Sequence, residues 1–141
     1  MLEGDNVNIN SGVDIIKVKE NQYEAIGVAD AAIVCSGTAT LETAMLKCPM
    51  IVCYKLSYLT WTVAQALSKV KYLSLANLIA EDRVVDEYLQ GKMTAKNLSS
   101  GINNLLKEEN RDVVMKKYNK LIDKLKSNEN PYTSAARYIY D

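Results

Sequence analysis

The sequence predicts an α/β fold: a Rossmann-like parallel sheet of about four strands with a helical carboxyl-terminal extension. Three observations carry this. Apolar runs of strand length alternate with segments whose apolar residues recur at helical spacing. The connections between them are short, as right-handed crossovers between parallel strands require. Beyond residue 82 the strand signals stop while helical periodicity continues.

Residues 1–12, rich in Asn, Gly and Ser, lack periodicity and read as a flexible lead-in to one domain over 13–141. Residues 13–18 form the first expected strand. Asn21 with Glu24 three residues on resembles a capping box, opening a short helix that stops near Gly27. A second strand covers 31–35. A helix over 39–47 follows, with Leu41, Ala44, Met45 and Cys48 on one face, and Pro49 closes it. The third strand, 50–54, is nearly all apolar, as expected of a parallel strand covered on both faces. Leu59, Val63, Ala66, Leu67 and Val70 predict a helix over 58–69, and residues 72–75 a fourth strand.

Helices are then expected over 84–90, 96–106 and 112–126. The second rests on Leu98, Ile102, Leu105 and Leu106, the third on Val114, Tyr118, Leu121, Ile122 and Leu125. Asn130 and Pro131 read as the cap and first residue of a last helix through 140. The lysines and glutamates along these segments read as solvated faces. Four strands are few for a nucleotide-binding sheet, and no glycine-bearing loop is evident before Val13. One edge of the sheet is therefore expected to be open, and an open edge pairs readily.

The composition narrows the partners. The 141 residues suit one domain with a single core. Seventeen basic and seventeen acidic residues give zero formal net charge, and the isoelectric point is near 6.3, which leaves no electrostatic footprint for nucleic acid. No run reaches the roughly 18 apolar residues of a membrane span, and the amino terminus lacks the order of a secretory signal, so a cytoplasmic location is expected. Cys35, Cys48 and Cys53, irregularly spaced in apolar surroundings, read as buried reduced thiols. There is no histidine, which excludes Ser-His and Cys-His nucleophile pairs and histidine-ligated metal sites. No metal site and no cofactor are expected.

One corner carries the chemistry. After the second strand the chain reads Ser36-Gly37-Thr38-Ala39-Thr40-Leu41-Glu42. Ligands of open α/β sheets bind at the carboxyl ends of the strands, where this loop falls. Gly37 permits close backbone approach, Thr38 and Thr40 offer hydroxyls, and the first amides of the next helix face any anion held there. A diphosphate fits. Glu42 is not a capping-box glutamate, because the residue three before it is Ala39. Its carboxylate suits a pair of ribose hydroxyls, but a glutamate near a positive helix end, with Ser36 or Thr38 as an ordinary cap, has the same pattern.

Four stretches together resemble the carboxyl-terminal half of lipid-A-disaccharide synthases, glycosyltransferases of the GT-B fold. They are the Ser36 to Glu42 loop; Cys48-Pro49-Met50-Ile51-Val52 leading to Tyr54-Lys55; Ser74-Leu75-Ala76-Asn77-Leu78; and Val84-Val85-Asp86-Glu87-Tyr88-Leu89-Gln90. Order and spacing agree as well, and the resemblance covers roughly residues 13–140. It implies half of a two-domain enzyme, the half that holds the sugar donor UDP-2,3-diacylglucosamine. The other, amino-terminal half would hold the lipid acceptor 2,3-diacylglucosamine 1-phosphate and the general base. The implied reaction inverts the anomeric carbon, needs no metal and belongs to lipid A biosynthesis; no transfer is expected from these 141 residues alone.

By the same resemblance Ser36, Gly37, Thr38, Ala39 and Thr40 meet the diphosphate, Glu42 the ribose, and Asn77 the nucleotide or sugar from the end of the fourth strand. Glu87 and Gln90 would share one face of a short helix beside that crevice. No catalytic residue is assigned to this chain. Glu81-Asp82 stand where many members have glycine and a basic residue, and two extra carboxylates near a diphosphate would weaken its binding. The resemblance also admits a peripheral position at the inner face of the inner membrane, an oligomer and a partner chain. Tyr54, Tyr58, Leu59 and Trp61 offer apolar surface for acyl chains, for core packing or for an interface with the other half. Two further readings fit the same residues: a non-catalytic nucleotide-binding or interaction module, and the donor domain of another UDP-N-acetylglucosamine transferase.

Overall fold

In the computed structural model, residues 12, 14–35, 37–55 and 71–126 are described. Three parallel strands, β1 (Ala32–Cys35), β2 (Met50–Tyr54) and β3 (Asp86–Leu89), form a sheet in the order β1-β2-β3. Around it run α1 (Gln22–Val28), α2 (Ala39–Met45), α3 (Leu75–Ala80), α4 (Ala95–Leu105) and α5 (Glu108–Leu125), with a 3-10 turn at Gln90–Lys92. Cys35 is level with Cys53, and Cys53 with Tyr88, so one line of register crosses the sheet near its carboxyl edge.

The central strand explains the layering. Met50 and Val52 enter a core with Ala44 of α2, Ala76 of α3, Val84, Val85, and Tyr118 and Leu121 of α5. Ile51 alternates to the opposite face and is equally inaccessible, so both faces of β2 are covered. Helix α4 packs against all three strands. Tyr118 is the largest fully buried side chain among the described residues, and its hydroxyl accepts a hydrogen bond from the Met50 N–H at 3.2 Å, which ties α5 to the sheet. Burial pushes the Tyr118 phenol far above its ordinary range, opposed in part by the Met50 N–H.

Several expectations need correction. Residues 14–18 form no strand; Ile15, Ile16 and Val18 are exposed in irregular backbone. An apolar run becomes a strand only with a ladder partner, and this one pairs with none of the described strands. Helix α1 forms, but Asn21 enters it at φ 57 without a side-chain cap, so no capping box closes. Helix α2 ends at Met45, which is exposed, because its buried side is instead Thr40, Thr43 and Ala44. Residues 72–75 are not a strand. Ser74 is the N-cap of α3, its Oγ accepting from the Asn77 N–H at 3.3 Å.

The expected helix over 84–90 is replaced by β3. Four partly apolar residues cannot separate a helical from an extended period, and pairing with β2 decides it. The described sheet thus has three strands, one of them outside the expected set. Helices α4 and α5 form close to the expected segments, α4 capped by Thr94 and α5 starting four residues early at Glu108. Cys48 and Cys53 are buried and all three thiols are free, but Cys35 is exposed. The helices expected over 58–69 and through 140 lie outside the described residues.

Candidate functional site

The turn from β1 into α2 is built around Gly37, whose φ of 144° lies where a side chain is strained. A Cβ there would meet nothing within 4 Å, so conformation, not space, selects glycine. Thr40 locks the turn from inside: its Oγ donates to the Gly37 carbonyl at 2.8 Å and accepts from the Ala76 N–H at 3.4 Å. Thr40 is therefore wholly buried and spans from the start of α2 to the start of α3.

Thr38 and Ala39 are exposed, Gly37 and Glu42 half-buried. Thr38 occupies the N-cap position with helical backbone and makes no side-chain cap. The first donors of a helix have no partner within it. Among the described residues no carboxylate accepts a hydrogen bond from them, although Glu42 lies in the same first turn. Ser36 itself lies outside the described residues.

Asn77 and Glu87 are brought together, Asn77 fully buried and Glu87 half-buried. Asn77 sits in α3, not at a strand end, and is fully buried. Its Oδ1 accepts from the Val84 and Val85 N–H groups at 2.7 and 2.9 Å. Its Nδ2 donates to the Val85 carbonyl and to Glu87 Oε1, both at 2.9 Å. All four hydrogen-bonding positions of the amide are used.

Glu87 lies on β3, so it shares no helix face with Gln90. Its carboxylate accepts from the Leu73 N–H (3.1 Å to Oε2), the Ser74 N–H (2.9 Å) and the Ser74 hydroxyl (2.8 Å), as well as from Asn77. This anion from within the chain occupies the start of α3.

Gln90 differs. It follows β3 with a φ of 50°, and its Nε2 is buried without a hydrogen-bond partner among the described residues. Gly37 and Gln90 each lie two residues past the Cys35–Cys53–Tyr88 register line. They thus follow the two strands on either side of β2. Lys55, exposed, follows β2 itself; from sequence it was quoted within the family-like stretch but given no role. Its signal was positional only: the residue after a central parallel strand.

Glu81 and Asp82 follow α3 and precede β3, at the amino edge of the sheet. Asp82 accepts from the Arg83 N–H at 2.7 Å, and Glu81 takes the left-handed C-cap position at φ 58. The expected repulsion of a diphosphate by these carboxylates has no basis in this placement. A cavity of about 510 Å³ between β3 and α4 is lined by Tyr88, Lys96, Ser100 and others, and by none of the expected site residues.

A family model described as lipid-A-disaccharide synthetase matches residues 2–139. The chain belongs to the lipid-A-disaccharide synthetase family. It is 42% identical over 92 residues to a lipid-A-disaccharide synthase of Myxococcus xanthus, covering 65% of this chain and 24% of the relative. To that of Psychromonas ingrahamii it is 44% identical over 86 residues, 61% of this chain and 23% of the relative. To lipid-A-disaccharide synthase 2 of Legionella pneumophila it is 32% identical over 119 residues, 84% of this chain and 31% of the relative. The matches thus span about a quarter to a third of these relatives' length. The family is one of glycosyltransferases. Among the described residues no helix is long and apolar enough to cross a membrane, and no three metal-ligating side chains cluster.

Proposed function

We propose that this chain carries the UDP-sugar-binding portion of a lipid-A-disaccharide synthase. The observation that carries the reading is the open turn at Gly37, at the carboxyl edge of a parallel sheet in a chain of this family. Gly37, Thr38 and Ala39 meet the diphosphate, with Ser36 beside them and Lys55 supplying a positive charge from the end of β2. Glu42 faces the ribose. Gln90 donates its unspent amide to the donor. Thr40, Asn77 and Glu87 act as support, holding α2, α3 and β3 in register, because their polar atoms are already used.

Cleavage of the sugar-phosphate bond leaves negative charge on the departing diphosphate, and amides and hydroxyls held in place stabilise it without reorganising. The donor is UDP-2,3-diacylglucosamine and the anomeric carbon is inverted, with this chain's own donors meeting the developing charge in place of a metal. The acceptor 2,3-diacylglucosamine 1-phosphate and the general base belong to the part of the relatives that the match does not cover, the other half of a GT-B architecture. An acyl-chain substrate places the assembled enzyme at the inner face of the inner membrane.

Thermal denaturation with UDP tests the reading. A ligand bound only by the folded form at a hundred times its Kd adds about 2.7 kcal/mol, a rise of several degrees in Tm for a domain of this size. An unchanged Tm in millimolar UDP contradicts it.

A further inference from the structure

Two of the three thiols are neighbours across β1 and β2. Cys35 and Cys53 are register partners, so their side chains leave the same face of the sheet. Adjacent strands run about 4.8 Å apart, inside the roughly 4.4–6.8 Å between α-carbons that a disulfide bridges. Burial pushes the Cys53 thiol up, and the adjoining Cys35 pushes it further. Cys35 is exposed while Cys53 is only 5% accessible, so reagents reach the pair through one sulfur. Cys48, the third thiol, is buried and directed to the Ala29 and Pro49 carbonyls. Neither Cys35 nor Cys53 has a part in the proposed donor contacts.

We propose that Cys35 and Cys53 form a thiol–disulfide exchange site, closed to a cross-strand disulfide by low-molecular-weight disulfides such as oxidised glutathione. The Cys35 thiolate attacks one sulfur of the oxidant, forming a mixed disulfide and expelling one glutathione thiolate. Cys53 then gives its proton to solvent, attacks the Cys35 sulfur and expels the second glutathione thiolate. Two protein thiols are oxidised, and one disulfide is reduced to two thiols. The product joins the carboxyl ends of β1 and β2, one residue before Ser36 and one before Tyr54.

The test is incubation of the full chain with oxidised glutathione, followed by mass spectrometry and non-reducing peptide mapping. The wild type is expected to lose two hydrogens, retain no glutathione and yield a linked pair of peptides containing Cys35 and Cys53, reversed by dithiothreitol. Cys53→Ser is expected to trap one glutathione on Cys35, and Cys35→Ser to stay unmodified. A wild-type product that keeps its glutathione on Cys35, pairs Cys35 with Cys48 or links two chains overturns the proposal, as does an unmodified chain. The wild-type map decides the matter even if a variant fails to fold, and it does not depend on whether UDP binds.

Discussion

Helices α2 and α3 begin side by side and are treated in opposite ways. The start of α3 is closed from within: Ser74 caps it, and the Glu87 carboxylate takes the Leu73 and Ser74 amides and the Ser74 hydroxyl. The start of α2 has a glycine at positive φ and an exposed Thr38 that caps nothing, and among the described residues no carboxylate accepts a hydrogen bond from its first amides, though Glu42 stands in its first turn. Thr40 joins the two through the Ala76 amide. The difference teaches that a hydroxyl-led helix start marks a ligand site only when the fold leaves its donors unspent. Where a half-buried carboxylate has filled it, the same local pattern is structural.

The largest effect should come from the closed side. Asn77→Ala leaves the Val84 and Val85 amides without acceptors and deprives Glu87 of a donor. At about 1–3 kcal/mol for each stranded group, a loss of at least ~3 kcal/mol is expected in urea denaturation. A loss near zero would mean that the α3 network contributes little and that the contrast between the helix starts is empty.

Alkaline pH loosens the frame beneath both helices without touching either start. Burial makes Tyr118, Cys48 and Cys53 all ionise less readily in the fold than a phenol or a thiol does in water. The unfolded chain therefore releases these protons first. Stability is fully present below about pH 9 and falls as pH rises, the thiols acting first and the phenol above about pH 10. In Tyr118→Phe the decline above pH 10 should flatten, at the cost of the bond from Met50; an unchanged slope would remove Tyr118 as its source.

On the open side the effects divide between binding and stability. Gly37→Ala forces a side chain into positive φ, costing about 1 kcal/mol in folding, and should reduce the UDP-induced Tm shift by more than the folding loss explains. An undiminished shift would detach the turn from the ligand. Gln90→Ala removes an amide that bonds to nothing described, so stability should change by less than about 0.5 kcal/mol while the UDP shift shrinks. Marked destabilisation instead would make Gln90 part of the support, like Asn77.

Much of this frame is legible in the chain. The run at 50–54 is nearly all apolar, short and closed off by Pro49, which suits a parallel strand covered on both faces, and it forms as expected. The spacing of Tyr118 and Leu121 likewise places the inner face of α5. β3 was hidden because its residues, Asp86 to Leu89, are half charged and too few to show a period; its extended form comes from β2 beside it. Residues 14–18 erred the other way, carrying strand-like residues without a described partner.

At the site, the Gly37 turn was legible because positive φ has a residue signature. That Asn77 and Glu87 face inward was not, since their bonds join residues seven to fourteen positions apart that no local pattern links. From sequence, residues 72–75 read as a strand with Asn77 at its ligand-facing end, not as the start of a helix. Only the fold reveals which carboxylate has already arrived.

Amide and side-chain chemical-shift mapping during a UDP titration of the full chain tests the contrast most directly. The Gly37, Thr38 and Ala39 amides and the Gln90 side-chain amide should move together and saturate, while the Asn77 side-chain amide, held by Val85 and Glu87, stays in place. Saturable movement of Asn77 without Gly37, or no movement anywhere in millimolar UDP, would contradict the account.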